Sequence, residues 1–258
     1  MLTAAQIAEY HEKGYVVPGY RLGADTLAAI RRDHDRLLVE HPEFRDNCPA
    51  LLSHDMAFLN YARDGEILDM AEQLIGPDIA LWNISFFAKP AVNGKKTPFH
   101  QDGEYWPIRP MATCTVWIAV DEATVENGCL RIIPGSHKDR RLMAHEQKND
   151  PNYTLQQELR PEEYDDAEAE DLVLEAGQMS FHDVFLAHGS EINTSPNPRR
   201  GMTLRLMPTS SVFDRDVAAQ MTRARGGTTL AEHSLFLLRG RDLSGENDFR
   251  LRLPQAAE

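Results

Sequence analysis

Apolar residues change their spacing near residue 79. Upstream they recur at helical intervals; downstream they come in short runs broken by Gly, Pro and Asn. Thr3 with Gln6 reads as a capping box that opens a helix through about Lys13, and Gly14 stops it. Tyr15-Val16-Val17 reads as a short strand. Leu27, Ile30, His34 and Leu37/Leu38 share one side of a predicted helix from about Asp25 to Glu40. Ile67, Met70, Ala71 and Leu74 do the same from Glu66 to Ile75, where Gly76-Pro77 ends the element. Six strands are predicted after that: Ile79–Lys89, Thr113–Val120, Gly128–Ile133, Asp171–Leu174, Gln178–His182 and Gly201–Pro208. A last helix is expected around Leu230–Arg239.

Helices first and strands afterwards imply a mainly β fold with flanking helices packed on one side. A chain of 258 residues suits one domain: residues 1–78 form a mostly helical part, and residues 79–210 the β core. The stretch 138–170 is long, polar and charged, and is expected to be a lid loop. The net charge of −13 excludes the basic footprint nucleic acid demands, and disfavours an anionic membrane surface. Much of that charge lies between Pro161 and Asp171, read as a solvated loop face. Cys48, Cys114 and Cys129 are odd in number and lack CxxC spacing, which favours reduced thiols and a cytoplasmic protein. No stretch approaches the roughly 20 apolar residues of a membrane span. Nothing in the sequence sets an oligomeric state.

The candidate chemistry centres on His100-Gln101-Asp102. In an extended strand, residues two apart point to the same side, so His100 and Asp102 can offer an imidazole and a carboxylate to one metal ion. His188 would be the third ligand, brought from a distant strand. Two histidines and a carboxylate leave positions open, which suits Fe(II) oxygenases. Arg199 could pair bidentately with a carboxylate, as anchoring a dicarboxylic co-substrate requires. His182 is the rival of His188, but it is read as a buried neighbour, with Asp183 facing the other way. His137 reads as a turn residue. Of Arg199 and Arg200, one is expected to face solvent. Arg205 alternates away from Leu204 and Leu206, so it points either into the barrel mouth, toward an anionic substrate group, or outward. Arg109 and Arg131 carry the same ambiguity. Trp117 is read as core, and Cys114 and Cys129 as small buried hydrophobes.

The block Phe99-His100-Gln101-Asp102-Gly103-Glu104-Tyr105-Trp106 resembles the phytanoyl-CoA dioxygenase family of Fe(II)/2-oxoglutarate oxygenases. So do the segments from Asn127 to His137 and from His188 to Asn193, followed by Arg199. The resemblance runs from about Thr3 to Pro208. It implies a double-stranded β-helix, a jelly-roll, cupin-like barrel with the metal in its mouth. It implies that His100, Asp102 and His188 are the iron ligands, and that Arg199 grips the distal carboxylate of 2-oxoglutarate. Thr115 and Lys89 fall where residues help hold that co-substrate; Trp106 and Ser190 match residues lining the site in ectoine hydroxylase. Halogenating members replace the carboxylate ligand with Ala or Gly, so Asp102 argues for hydroxylation. The implied reaction uses Fe(II), 2-oxoglutarate and O₂, hydroxylates an unactivated C–H bond of a small molecule, and releases succinate and CO₂. The alternatives are a metal-dependent hydrolase or isomerase, or a non-catalytic ligand-binding protein, on the same barrel.

Overall fold

A computed structural model describes residues 1–225 and 230–252. Four α-helices occur among them: α1 (Ala4–Lys13), α2 (Ala24–Glu40), α3 (Gly65–Ile75) and α4 (Arg215–Arg225). The early strands are β1 (Tyr15–Val16), β2 (Asn47–Cys48), β3 (Ile79–Lys89), β4 (Thr97–His100), β5 (Ile108–Arg109), β6 (Cys114–Ala119) and β7 (Leu130–Ile132). The later ones are β8 (His145–Gln147), β9 (Gln157–Leu159), β10 (Glu170–Leu172), β11 (Met179–Asp183), β12 (His188–Ser190), β13 (Arg199–Pro208), β14 (Val212–Phe213) and β15 (Phe236–Arg239).

The capping box expected at α1 is present, with Thr3 accepting from the Gln6 N–H. Gly14 ends the helix at φ +86°, and a Cβ there would lie 2.6 Å from His137 Nδ1, so left-handed backbone and close packing both require glycine. Helix α3 is capped by Asp64, whose carboxylate accepts from the Ile67 N–H.

The main sheet runs β1-β11-β6-β13-β3-β15, with β2 also on β3; the smaller sheet runs β10-β7-β12-β4. Together they form the double-stranded β-helix the sequence implied. Both faces of the main sheet are buried, for different reasons. Ile84, Phe86, Val116, Ile118, Phe181 and Leu204 pack in one cluster with Tyr10, Leu27, Ile30, Leu37 and Ile67 of the helices. That burial is the main force holding the helical part to the barrel. Residues alternating with them face the barrel interior and carry the polar chemistry described below.

Two expectations change, and the 138–170 stretch proves to have internal structure. Only Leu230–Glu232 of the stretch predicted as a terminal helix is helical, a single 3₁₀ turn; Phe236–Arg239 is strand β15, paired with Leu81, Ala80 and Ile79 of β3. The free edge of β3 offers backbone partners that local helix propensity cannot match. Helix α4 was not anticipated; its sequence is more polar than that of the other three helices. The 138–170 stretch is not an open loop: β8 and β9 pair within it, from His145↔Leu159 to Gln147↔Gln157. The Tyr105 hydroxyl donates to the Gln157 carbonyl, and the Thr154 N–H donates to that of Lys96, tying this hairpin to the barrel. The acidic run is held at the surface by Arg131, which pairs with Asp166 and Asp171, and by Arg141, which pairs with Glu163. No helix among the described residues is long and apolar enough to cross a membrane. The three cysteines are free and buried.

His34 lies on the helix-facing side of the main sheet, stacked on Phe86 at 4.2 Å, with neither ring nitrogen hydrogen-bonded among the described residues. Burial, then the nearby Arg200, push its pKa down to about 4. Above about pH 6.5 the folded and unfolded chains both hold it neutral. As pH falls toward 4, the unfolded chain takes a proton that the folded chain refuses, so stability drops, by about 2 kcal/mol at pH 5. The variant His34→Leu is expected to lose that share of the acid sensitivity. Urea midpoints at about pH 7.5 and about pH 5 check this, and an undiminished difference in the variant would refute it.

Candidate functional site

The metal-ligand candidates meet because two short strands pair. His188 of β12 is the register partner of His100 of β4, and their ring centroids lie 4.2 Å apart. Gln101 is extended at φ −109°, ψ 133°, so the two-residue alternation carries through to Asp102, which opens a 3₁₀ turn. Gln101 points the other way: its amide donates to the carbonyls of Phe185 and Arg141 and accepts from the Met143 N–H. One donor atom from each of His100, Asp102 and His188 lies within 4.8 Å of the others, all buried.

The donor set fits a divalent transition metal. His100 Nδ1 is 2.9 Å from the Pro98 carbonyl, and His188 Nδ1 is 3.0 Å from that of Leu186. A carbonyl only accepts, so each Nδ1 carries the hydrogen and each Nε2 keeps its lone pair. Burial pushes the His100 pKa down to about 4 and holds that of His188 well below its ordinary value, so both rings are neutral near pH 7. Burial alone would raise the Asp102 carboxyl, but His182, His188 and Arg205 hold it well below the usual carboxylate range. The Thr115 hydroxyl donates to Asp102 Oδ2 at 2.8 Å, leaving Oδ1 on the His100 side, 3.8 Å from Nε2. Thr115 thus lies beside the triad and orients a ligand candidate.

Arg199 is 1% exposed. Its Nε and Nη2 donate to the Gly128 carbonyl, Nη1 donates to that of Phe87, and Nη2 is 3.4 Å from Ser190 Oγ. The guanidinium lies 5.3 Å from the Trp117 ring. Burial pushes its pKa down to about 10, which still leaves it charged at neutral pH. Arg199, Ser190 and Thr115 line one inner cavity together with the His–Asp–His triad. Arg200 is held elsewhere, by Asp121 and Asp35. Trp117 is buried as expected, but it is also a wall of this cavity. The signal was present: Trp117 shares Thr115's face of β6, so alternation that turns one inward turns both. Gly201 makes room for that ring, since a Cβ there would lie 2.3 Å from it. Lys89 is not brought to the cavity wall; its ammonium donates to the Lys95 carbonyl.

A larger cavity of about 310 Å³ opens outward from the triad and shares Phe87, His100, Asp102 and Arg205 with the inner one. Trp106 lines it, edge-on to Trp82 at 5.1 Å, and so do Gln147, Gln156 and Gln157 of the hairpin. Arg205 points inward, while Arg109 is exposed and donates to the carbonyls of Trp106 and Ile108. His182 lies beside the triad, with Nε2 3.4 Å from Asp102 Oδ2. Asp183 faces away and pairs with Arg140. His137 sits apart from the triad, against the His11 carbonyl.

The family model for phytanoyl-CoA dioxygenase matches residues 10–201. Human peroxisomal phytanoyl-CoA dioxygenase is 32% identical over 155 residues, 58% of this chain and 45% of that protein. A match to a Dictyostelium discoideum phytanoyl-CoA dioxygenase domain-containing protein 1 homolog also spans about half of the relative, 56%. Among solved structures, the apo form of ThoJ, a non-heme monooxygenase, superposes with a TM-score of 0.74 at 23% identity, over 96% of this chain and 88% of that one. The epimerase SnoN, solved with Fe³⁺, alpha ketoglutarate and nogalamycin RO, gives 0.67 at 20% identity, over 98% and 95%. These structures share the fold, and the matched stretch carries the triad and Arg199: the chain belongs to the phytanoyl-CoA dioxygenase family.

Proposed function

We propose that the protein is an Fe(II)- and 2-oxoglutarate-dependent dioxygenase that hydroxylates an unactivated C–H bond of a small-molecule substrate. The observation that carries this reading is the buried guanidinium of Arg199 on the same inner cavity as the His100–Asp102–His188 triad. A hydrolytic metal site has no need of a buried dicarboxylate anchor, which disfavours the hydrolase alternative. When bound, Fe(II) with 2-oxoglutarate supplies the oxidative chemistry, in which O₂ is consumed and succinate and CO₂ are released.

The chain's own residues supply position and dryness. His100 and His188 would present Nε2 and Asp102 its Oδ1, each fixed by a neighbouring hydrogen bond. Arg199 would take the distal carboxylate, with Ser190 beside it and the guanidinium over the Trp117 ring. Trp82, Trp106 and Phe87 keep the cavity wall apolar, which strengthens every charged contact inside it. The β8–β9 hairpin would cover the substrate, since Gln147 and Gln157 line the cavity. Limited proteolysis is expected to nick the 147–157 tip first in the free protein and more slowly with Fe(II) and 2-oxoglutarate bound; equal cleavage would count against a cover.

The direct test is anaerobic titration of the metal-free protein with Fe(II) and 2-oxoglutarate. A weak visible charge-transfer band that saturates at one equivalent of each is expected. Its absence from folded, iron-loaded protein would overturn the reading.

A further inference from the structure

Arg205 is a buried cation that neither the metal triad nor the co-substrate anchor needs. It is 8% exposed, yet it forms no ion pair among the described residues, and its Nε has no hydrogen-bond partner. Nη1 donates to Ser85 Oγ at 2.5 Å, and the Ser85 hydroxyl donates onward to the Pro49 carbonyl. That chain of bonds fixes one edge of the guanidinium and leaves the Nε edge without a partner. The group is boxed by rings, 5.3 Å from Trp106, 5.8 Å from Phe87 and 5.9 Å from Trp82. It lines both cavities, on the boundary between the inner pocket and the larger outer one.

Leaving a buried guanidinium without a counter-ion is costly. Asp102 is the acidic group that eases its charge, but Asp102 is also a metal-ligand candidate. On the function proposed above, on which this step rests, the remaining charges balance without Arg205. A divalent ion offsets Asp102 and one carboxylate of the co-substrate, and Arg199 offsets the other. The charge of Arg205 is then left for the substrate.

We infer that Arg205 is a substrate-binding residue, and that the substrate is a small organic carboxylate whose acid group pairs with Arg205 and whose apolar body lies against Trp82 and Trp106. A planar fork suits a carboxylate, and the aromatic box suits a carbon skeleton rather than a polar chain. Glutamine side chains at positions 147 and 157 offer hydrogen bonds to polar groups at the far end.

The test compares phenylacetate with phenylacetamide, probes of one shape that differ in charge. Binding is followed by tryptophan fluorescence, because Trp82 and Trp106 line the cavity, first on the metal-free chain and then with Fe(II) and 2-oxoglutarate under anaerobic conditions. The wild type is expected to prefer the acid by about ten-fold or more. The Arg205→Gln variant should erase that preference, Arg205→Lys should keep part of it, and 2-oxoglutarate affinity should stay within about two-fold in both. Equal binding of the two probes by the wild type would overturn the inference. So would a preference that survives Arg205→Gln, or a variant whose main defect is in 2-oxoglutarate binding. Failure of the function reading looks different: the wild type would not bind 2-oxoglutarate, while the acid preference on the metal-free chain would remain.

Discussion

Alanine in place of His188 is expected to weaken Fe(II) binding by more than about 100-fold, beyond what is typical for losing an outer hydrogen bond to a ligand. His188 offers one of three donors, and its loss leaves His100 and Asp102, an imidazole and a carboxylate that sit close together on one stretch of chain. Two protein ligands do not hold a labile divalent ion at micromolar concentration. The variant should nonetheless fold, because among the described residues His188 makes one side-chain hydrogen bond, to the nearby Leu186 carbonyl. Iron content after anaerobic loading and desalting, with circular dichroism as the check on folding, decides the matter. Wild-type iron content in His188→Ala would remove His188 from the metal site and restore His182, whose ring centroid lies 4.7 Å away, as the candidate.

The second large effect is expected at Arg199. Replacing it with glutamine should raise the 2-oxoglutarate concentration needed for half-saturation by about 100-fold, the scale of losing a charged, bidentate partner in a dry site. Iron binding should be unaffected, which separates this defect from that of His188→Ala. A stability cost comes with it, because Arg199 also satisfies the buried carbonyls of Gly128 and Phe87. Arg199→Lys is the informative control: it keeps the charge and loses the fork, so it should recover part of the affinity but not all. Titration of the charge-transfer band beside thermal melting reads both effects. An Arg199→Gln protein that binds 2-oxoglutarate as well as wild type would end the anchor assignment.

The elements that could be read in advance were those whose cause is local. Thr3, Gln6 and Gly14 define a helix by hydrogen bonds within a few residues, and the Ile79–Lys89 run is apolar enough to stand out on its own. Elements that exist through distant pairing were harder. Strands β4 and β12, which carry the two candidate imidazoles, have four and three residues, too few for a period to emerge. Phe236–Arg239 looks helical until the edge of β3 is available to it. At the site, His100, Asp102, His188, Arg199, Thr115 and Ser190 converge on one inner cavity, and Trp106 lines the outer one. Lys89 does not converge, because its ammonium turns to a loop carbonyl, and a single sequence gives no measure of such a turn. The direction of Arg205 also depended on which face of β13 met the helices, and only the packing of Leu204 and Leu206 settles that.

The pairing of β4 with β12 has a consequence for assembly. Strand pairing is usually selected by which slip buries more apolar surface, and a slip of one residue turns every side chain to the other face. Here such a slip would bring Ala187 or Gly189 opposite His100 in place of His188, and neither side chain can bind a metal. Gly189 adds a steric condition: a Cβ there would lie 3.0 Å from both Phe99 N and Thr97 O, so these strands approach as closely as they do because that position is bare. A bound ion would therefore act as a proofreader of alignment, rewarding the one pairing that sets the two imidazoles opposite each other.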